Sequence, residues 1–122
     1  MRQALLFLLL LLASGSALAQ KRGDWVLARW QGGPYWFPGI IEKVAGGKIT
    51  VLFDDGDRET LPISQVKAYD WREGSRIECR WADSSQWYGT KIERIENDRV
   101  TLHVVYDDGV SEKTLTSFCR SR

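Results

Sequence analysis

One pattern is written twice in this chain. Arg29-Trp30, Trp36-Phe37 and Phe53-Asp54-Asp55-Gly56 return as Arg80-Trp81, Trp87-Tyr88 and Tyr106-Asp107-Asp108-Gly109. The offset is 51 for the first two pairs (81 − 30, 87 − 36) and 53 at the Asp-Asp-Gly turn (106 − 53), so the second copy gains two residues ahead of that turn. A duplicated unit of about 50 residues means two small copies of one fold. A unit that short buries little core alone. The linker Tyr69-Asp70-Trp71-Arg72-Glu73 contains neither Gly nor Pro. The two units are therefore expected to pack together, with Tyr69 and Trp71 at the junction. The repeated residues are aromatics and carboxylates, which are the materials of a cation-binding pocket.

Both copies read as short strands between turns. In the first, strands are expected over 25–30, 36–44, 48–53, 58–61 and 66–68, with a bend at Pro38-Gly39 and a single helical turn near Pro62-Ile63-Ser64-Gln65. Asp55-Gly56 reads as a two-residue hairpin turn with positive φ at both positions. In the second, strands are expected over 76–81, 87–95, 99–106, 110–114 and around Phe118. Turns fall at Asp83-Ser84-Ser85, Asn97-Asp98 and Asp108-Gly109. The run Val100-Thr101-Leu102-His103-Val104 alternates as a half-buried strand does. No segment keeps a helical period. The expected class is all-β: two tandem, five-stranded, antiparallel small barrels packed together.

Residues 1–19 have the layout of a secretory signal peptide: a basic start at Arg2, an apolar run from Ala4 to Ala13, and Ala17-Leu18-Ala19 before Gln20. The run is only about ten residues long, too short to span a bilayer of roughly 30 Å. Cleavage is expected after Ala19, giving a secreted or periplasmic protein. The first unit then covers 20–69 and the second 70–122. With Arg2 set aside, 17 Lys+Arg become 16 against 16 Asp+Glu. That balance, without a basic block, speaks against nucleic acid as a partner. An exported chain meets an oxidising compartment, so Cys79 and Cys119 are expected to bridge; the first and last strands of a small barrel are neighbours. A single histidine, His103, and widely spaced cysteines give no zinc site. Asp54, Asp55 and Asp57 lack the ligand spacing and closing Glu of a calcium loop. No nucleophile motif or phosphate-cradling loop is present, and neither an enzyme nor a cofactor is expected.

Ala28-Arg29-Trp30, Tyr35-Trp36-Phe37-Pro38-Gly39-Ile40-Ile41 and Val51-Leu52-Phe53-Asp54-Asp55-Gly56 resemble a Tudor domain. Trp36-Phe37-Pro38 is also similar to the related plant Agenet domains. Glu78-Cys79-Arg80-Trp81, Trp87-Tyr88-Gly89-Thr90-Lys91-Ile92 and Val104-Val105-Tyr106-Asp107-Asp108-Gly109 resemble a second Tudor unit. The resemblance implies SH3-like barrels, and in many members an aromatic cage for methylated Lys or Arg. Carried over by position, the first cage is Trp30, Phe37, Phe53 and Asp55, with Tyr35 at its rim. The second is Trp81, Tyr88, Tyr106 and Asp108. Many members place one more aromatic just after the turn glycine. Asp57 and Val110 stand there in this chain, which makes the cages shallower and the first one more acidic.

The residues support the same sets directly. Trp36 and Phe37 are strand neighbours and face opposite sides. If Trp36 fills the core, Phe37 points out, and the same holds for Trp87 and Tyr88. Aromatic faces attract a cation at roughly 0.5–2 kcal/mol per contact. A carboxylate at the rim adds charge and, for lower methylation states, a hydrogen bond. The competing reading is that the aromatics are packing and that Asp-Gly only builds hairpins. Trp25, Trp36, Trp71 and Trp87 are assigned to core or interface. The expected function is an exported tandem module that binds a methylated Lys/Arg or quaternary-ammonium group on a partner. The alternatives are a cell-envelope or glycan-binding module, and a nucleic-acid-binding or structural scaffold.

Overall fold

A computed structural model describes residues 20–81 and 84–122. The expected leader at 1–19, and Asp83 of the expected turn, lie outside the described residues. The chain forms ten strands: β1 (Trp25–Arg29), β2 (Trp36–Ala45), β3 (Lys48–Phe53), β4 (Arg58–Pro62), β5 (Val66–Ala68), β6 (Arg76–Arg80), β7 (Trp87–Ile95), β8 (Thr101–Tyr106), β9 (Ser111–Leu115) and β10 (Cys119–Arg120). They make two five-stranded antiparallel sheets of the same topology, β4-β3-β2-β1-β5 and β9-β8-β7-β6-β10. Each is a small barrel-like unit. Single 3-10 turns at Trp30–Gly32, Ile63–Gln65 and Thr116–Phe118 complete them.

Alternation sets which side chains go inside. On β3, Ile49, Val51 and Phe53 are buried; on β8, Leu102, Val104 and Tyr106 are. Both long strands carry a bulge at the same place, between Ile41 and Lys43 in β2 and between Ile92 and Arg94 in β7. The extra residue increases local twist and lets a ten-residue strand curl around a small core.

Two details depart from the sequence expectation. Pro38-Gly39 lies in regular pairing with β1, and the bulge sits further along. Gly39 is needed for closeness: a Cβ there would stand 2.7 Å from the Leu52 carbonyl oxygen and from a Val51 methyl. The Asp-Asp-Gly turns are three-residue loops in which the glycine takes positive φ while Asp55 and Asp108 do not. Phe53 and Asp57 close one loop and Tyr106 and Val110 the other, each by an N–H···O bond of 2.8 Å. This is a β-turn followed by a left-handed glycine. Trp25, assigned to core or interface, lies at the interface beneath Arg99 of the second unit, and keeps 47% of its surface exposed.

The bridge Cys79–Cys119 is formed, across a directly paired position of β6 and β10. It is compatible with an oxidising compartment. The matching pair in the first unit is Ala28 and Val66, also directly opposed and both buried.

The units are joined along β1 and β2. Val26 and Ala28 face the first core, whereas Leu27, fully buried, belongs to the second unit's core with Trp71, Ile77 and Ile92. Trp36 and Ser121 exchange backbone hydrogen bonds of 2.7 and 3.0 Å, and the Trp71 indole donates to Ser121 Oγ at 3.1 Å. The junction assigned to Tyr69 and Trp71 is thus present: Trp71 is buried and Tyr69 packs on the same cluster.

The two additional residues of the second copy fall in the turn between β7 and β8, where Arg99 takes a left-handed φ of 68°. Its buried guanidinium sits 3.7 Å from the Trp25 ring and 4.7 Å from the Tyr69 ring, with Asp54 at 4.0 Å. The Thr116 hydroxyl donates to the same Asp54 carboxylate. Burial pulls the Arg99 pKa down and Asp54 opposes it. An arginine side chain stays protonated regardless.

Candidate functional site

Two concave sites open where the strand ends gather. All five residues expected at the first cage line one cavity of about 410 Å³. Trp30 starts the 3-10 turn after β1 and stands 45% exposed. Tyr35 leads into β2. Phe37 packs on the first unit's core and also lines the cavity. Phe53, at the end of β3, is 4% exposed and forms the floor. Asp55 comes from the hairpin beyond it.

The opposite faces of Trp36 and Phe37 hold, and Trp36 lies at the interface between the units, one of the two places assigned to it, while Phe37, expected to point out, leans on core as well. Phe37 packs on its own unit's core. Trp36 packs against the second unit's core, with Arg29 at 4.4 Å and Lys67 at 4.8 Å over its ring. The docked second unit supplies a second wall of apolar contact, which an isolated barrel does not have.

That second unit also closes the first cavity. Arg80, Trp87, Ser117 and Arg120 line it from across the junction. Phe37 and Trp87 meet edge to face at 6.1 Å. Arg120 stacks between Tyr35 (3.5 Å) and Trp87 (4.0 Å) and donates to Glu78 at 2.8 Å. Sequence reasoning missed Arg80 and Arg120 as site residues. The recurrence of Arg-Trp at 29–30 and 80–81 was a signal for Arg80. Arg120 gave none, because only the docking of the units brings it there.

All four residues expected at the second cage line a cavity of about 620 Å³. Here the rings meet one another. Trp81 and Tyr106 lie 5.3 Å apart at 69°, and Tyr88 and Tyr106 6.5 Å apart at 84°. Two rings thus stand steeply against that of Tyr106, and the three together wall one hollow. Trp81 and Tyr88 are 40% and 44% exposed, whereas Tyr106 is buried and its hydroxyl donates to Glu112. Burial, then the Glu112 carboxylate, pushes the Tyr106 phenol pKa well up, so the ring is held neutral. Val110, after the turn glycine, lines this site as an aliphatic wall.

The paired aspartates divide their work. Asp54 braces the junction, and Asp107 pairs with Arg76 at 2.6 Å. Asp55 and Asp108 each use one oxygen to accept a backbone N–H two residues on, from Asp57 and Val110, at 3.0 Å. They secure the turn and still stand at a cavity rim. Turn-building and rim charge are compatible in one residue. Among the described residues no cluster of three or more His, Cys, Asp or Glu is placed to hold a metal ion.

No protein-family model matches the chain. A stretch of 49 residues is 41% identical to staphylococcal nuclease domain-containing protein 1 of Drosophila melanogaster. The match takes in 39% of this chain and 5% of that much longer protein. Its length is close to that of one repeat. With two all-β units each carrying an aromatic-lined hollow, this weak likeness suggests a module of the binding type.

Proposed function

We propose that this protein is a tandem Tudor-like binding module, without catalytic activity, that takes a methylated lysine or arginine side chain, or another quaternary ammonium, into its aromatic cages. The observation that carries the reading is the hollow walled by Trp81, Tyr88 and Tyr106 with Asp108 at its rim. A methylated ammonium loses less hydration on entry than a bare one and keeps its attraction to the ring faces. The resemblance of both repeats to Tudor units supports it. So does a likeness over about one repeat to a small part of a longer protein, which suits a module used in different chains. Export after Ala19 belongs to the same proposal, and the Cys79–Cys119 bridge is compatible with it.

The test is a backbone NMR titration with a trimethyllysine peptide and its unmethylated twin. Selective shifts at Trp81, Tyr88 and Tyr106, or at Trp30, Phe37 and Phe53, are expected with the methylated peptide. Equal responses to both peptides, or none to either, would refute the reading.

A further inference from the structure

The two sites differ in charge. The second presents Asp107 and Asp108, and no arginine is among its described lining residues. The first presents acids and bases together: Asp55 and Asp57 from the hairpin, Arg80 and Arg120 from the other unit. Among the described residues no ion pair joins those acids to those bases. The opposite charges are held apart across the hollow by aromatic walls. Arg120 is already committed to Glu78. Arg80 makes no ion pair among the described residues: its guanidinium lies over Trp87 (5.4 Å) and Phe118 (5.3 Å), its Nε is buried without a hydrogen-bond partner among them, and its terminal amino groups are left to line the hollow. A guanidinium that rests over rings, lines a hollow and has no ion pair among the described residues is placed to meet a carboxylate through its terminal amino groups.

Building on the cage reading above, we infer that the first site selects a peptide in which an acidic residue lies close to the methylated basic one. The cation lies among Trp30, Phe37 and Asp55, and the carboxylate reaches Arg80. The first site is thus a sequence-reading site that spans both units, whereas the second reads the cation alone.

Three peptides test this, identical except for Asp, Asn or Lys two residues to either side of a trimethyllysine, titrated into the disulfide-bonded protein. At the Trp30 indole and the Arg80 Nε–H, the Asp peptide is expected to bind about fivefold tighter than the Asn peptide, the size of one well-placed ion pair, with the Lys peptide weakest. At the Trp81 indole the Asp peptide gains nothing. Arg80→Gln should erase the Asp-over-Asn preference at the first site, and Arg80→Lys should keep most of it. Equal binding of Asp and Asn peptides at the first site, or a preference that survives in a folded Arg80→Gln protein, overturns the inference while leaving the cages intact. If Arg80→Gln does not fold, the native protein decides: the preference must shrink between about 50 and about 300 mM salt, and one unmoved by salt counts against the inference. No shift at either site with any peptide overturns the proposed function and this inference with it.

Discussion

Single residues in this protein carry two duties, and substitution can separate them. Trp81 is largely a wall of the second hollow, so Trp81→Ala should cost binding at least about tenfold, as loss of one or two cation–π contacts would, with an unchanged dispersed NMR spectrum. Global unfolding would show that the ring is core. Tyr106 is both floor and core. Tyr106→Phe keeps the ring and removes the hydroxyl bonded to Glu112. The expected loss is about 1 kcal/mol of stability, read as a urea midpoint, with ligand affinity nearly unchanged. The phenols also set an alkaline limit. Burial raises Tyr69 to about 12 and raises Tyr106 as well. An unfolded tyrosine titrates near 10, so the unfolded state releases protons first and stability falls as pH rises above about 10. The urea midpoint should be level from pH 7 to 9 with respect to these groups and drop toward pH 11. A rise over that upper interval would contradict the assignment.

At the scale of elements, the two copies solve one problem differently. Strands β6 and β10 are tied by Cys79–Cys119, where β1 and β5 use Ala28 against Val66. The bridge closes a separation of 40 residues, for which chain entropy gives about 4 kcal/mol. Reduction should therefore lower the second unit's unfolding midpoint strongly. The double change Cys79→Ala with Cys119→Val copies the first unit's solution and should fold without a bridge, though less stably; failure to fold would show that the second unit depends on its crosslink. The β2–β3 contact at Gly39 is equally specific. A methyl there must push β3 away at Phe53, the floor of the first site. Gly39→Ala is expected to weaken binding at the first site more than at the second, seen in separate Trp30 and Trp81 indole titrations.

At the scale of the molecule, the second copy's two additional residues built a junction. Arg99 projects from them into the first unit, between Trp25 and Tyr69 and beside Asp54. Leu27 reaches the other way, into the second core. Each unit thus completes its neighbour. A fragment ending at Tyr69 would expose Leu27 and Trp36 and lack Ser121, and it should give a poorly dispersed spectrum. A well-folded fragment would show that the junction is dispensable.

Much of this was legible in the chain. The repeat, the strand order and the turns are local matters: alternation, β-branched and aromatic runs, and glycines where backbone must turn or approach closely. That these residues would line two hollows was legible because the same aromatics and aspartates stood at the same offsets twice. Turn type was not, because Asp-Gly suits both a two-residue and a three-residue loop, and strand twist across the ladder chooses between them. The faces of Trp36 and Phe37 were not either: alternation fixes that they are opposite, never which side is core. Nor did the sequence announce that Arg80 and Arg120 would wall the first hollow or that Arg99 would brace Trp25. Those contacts join residues far apart in the chain. They depend on how two barrels dock, which buried area and charge settle only once both surfaces exist.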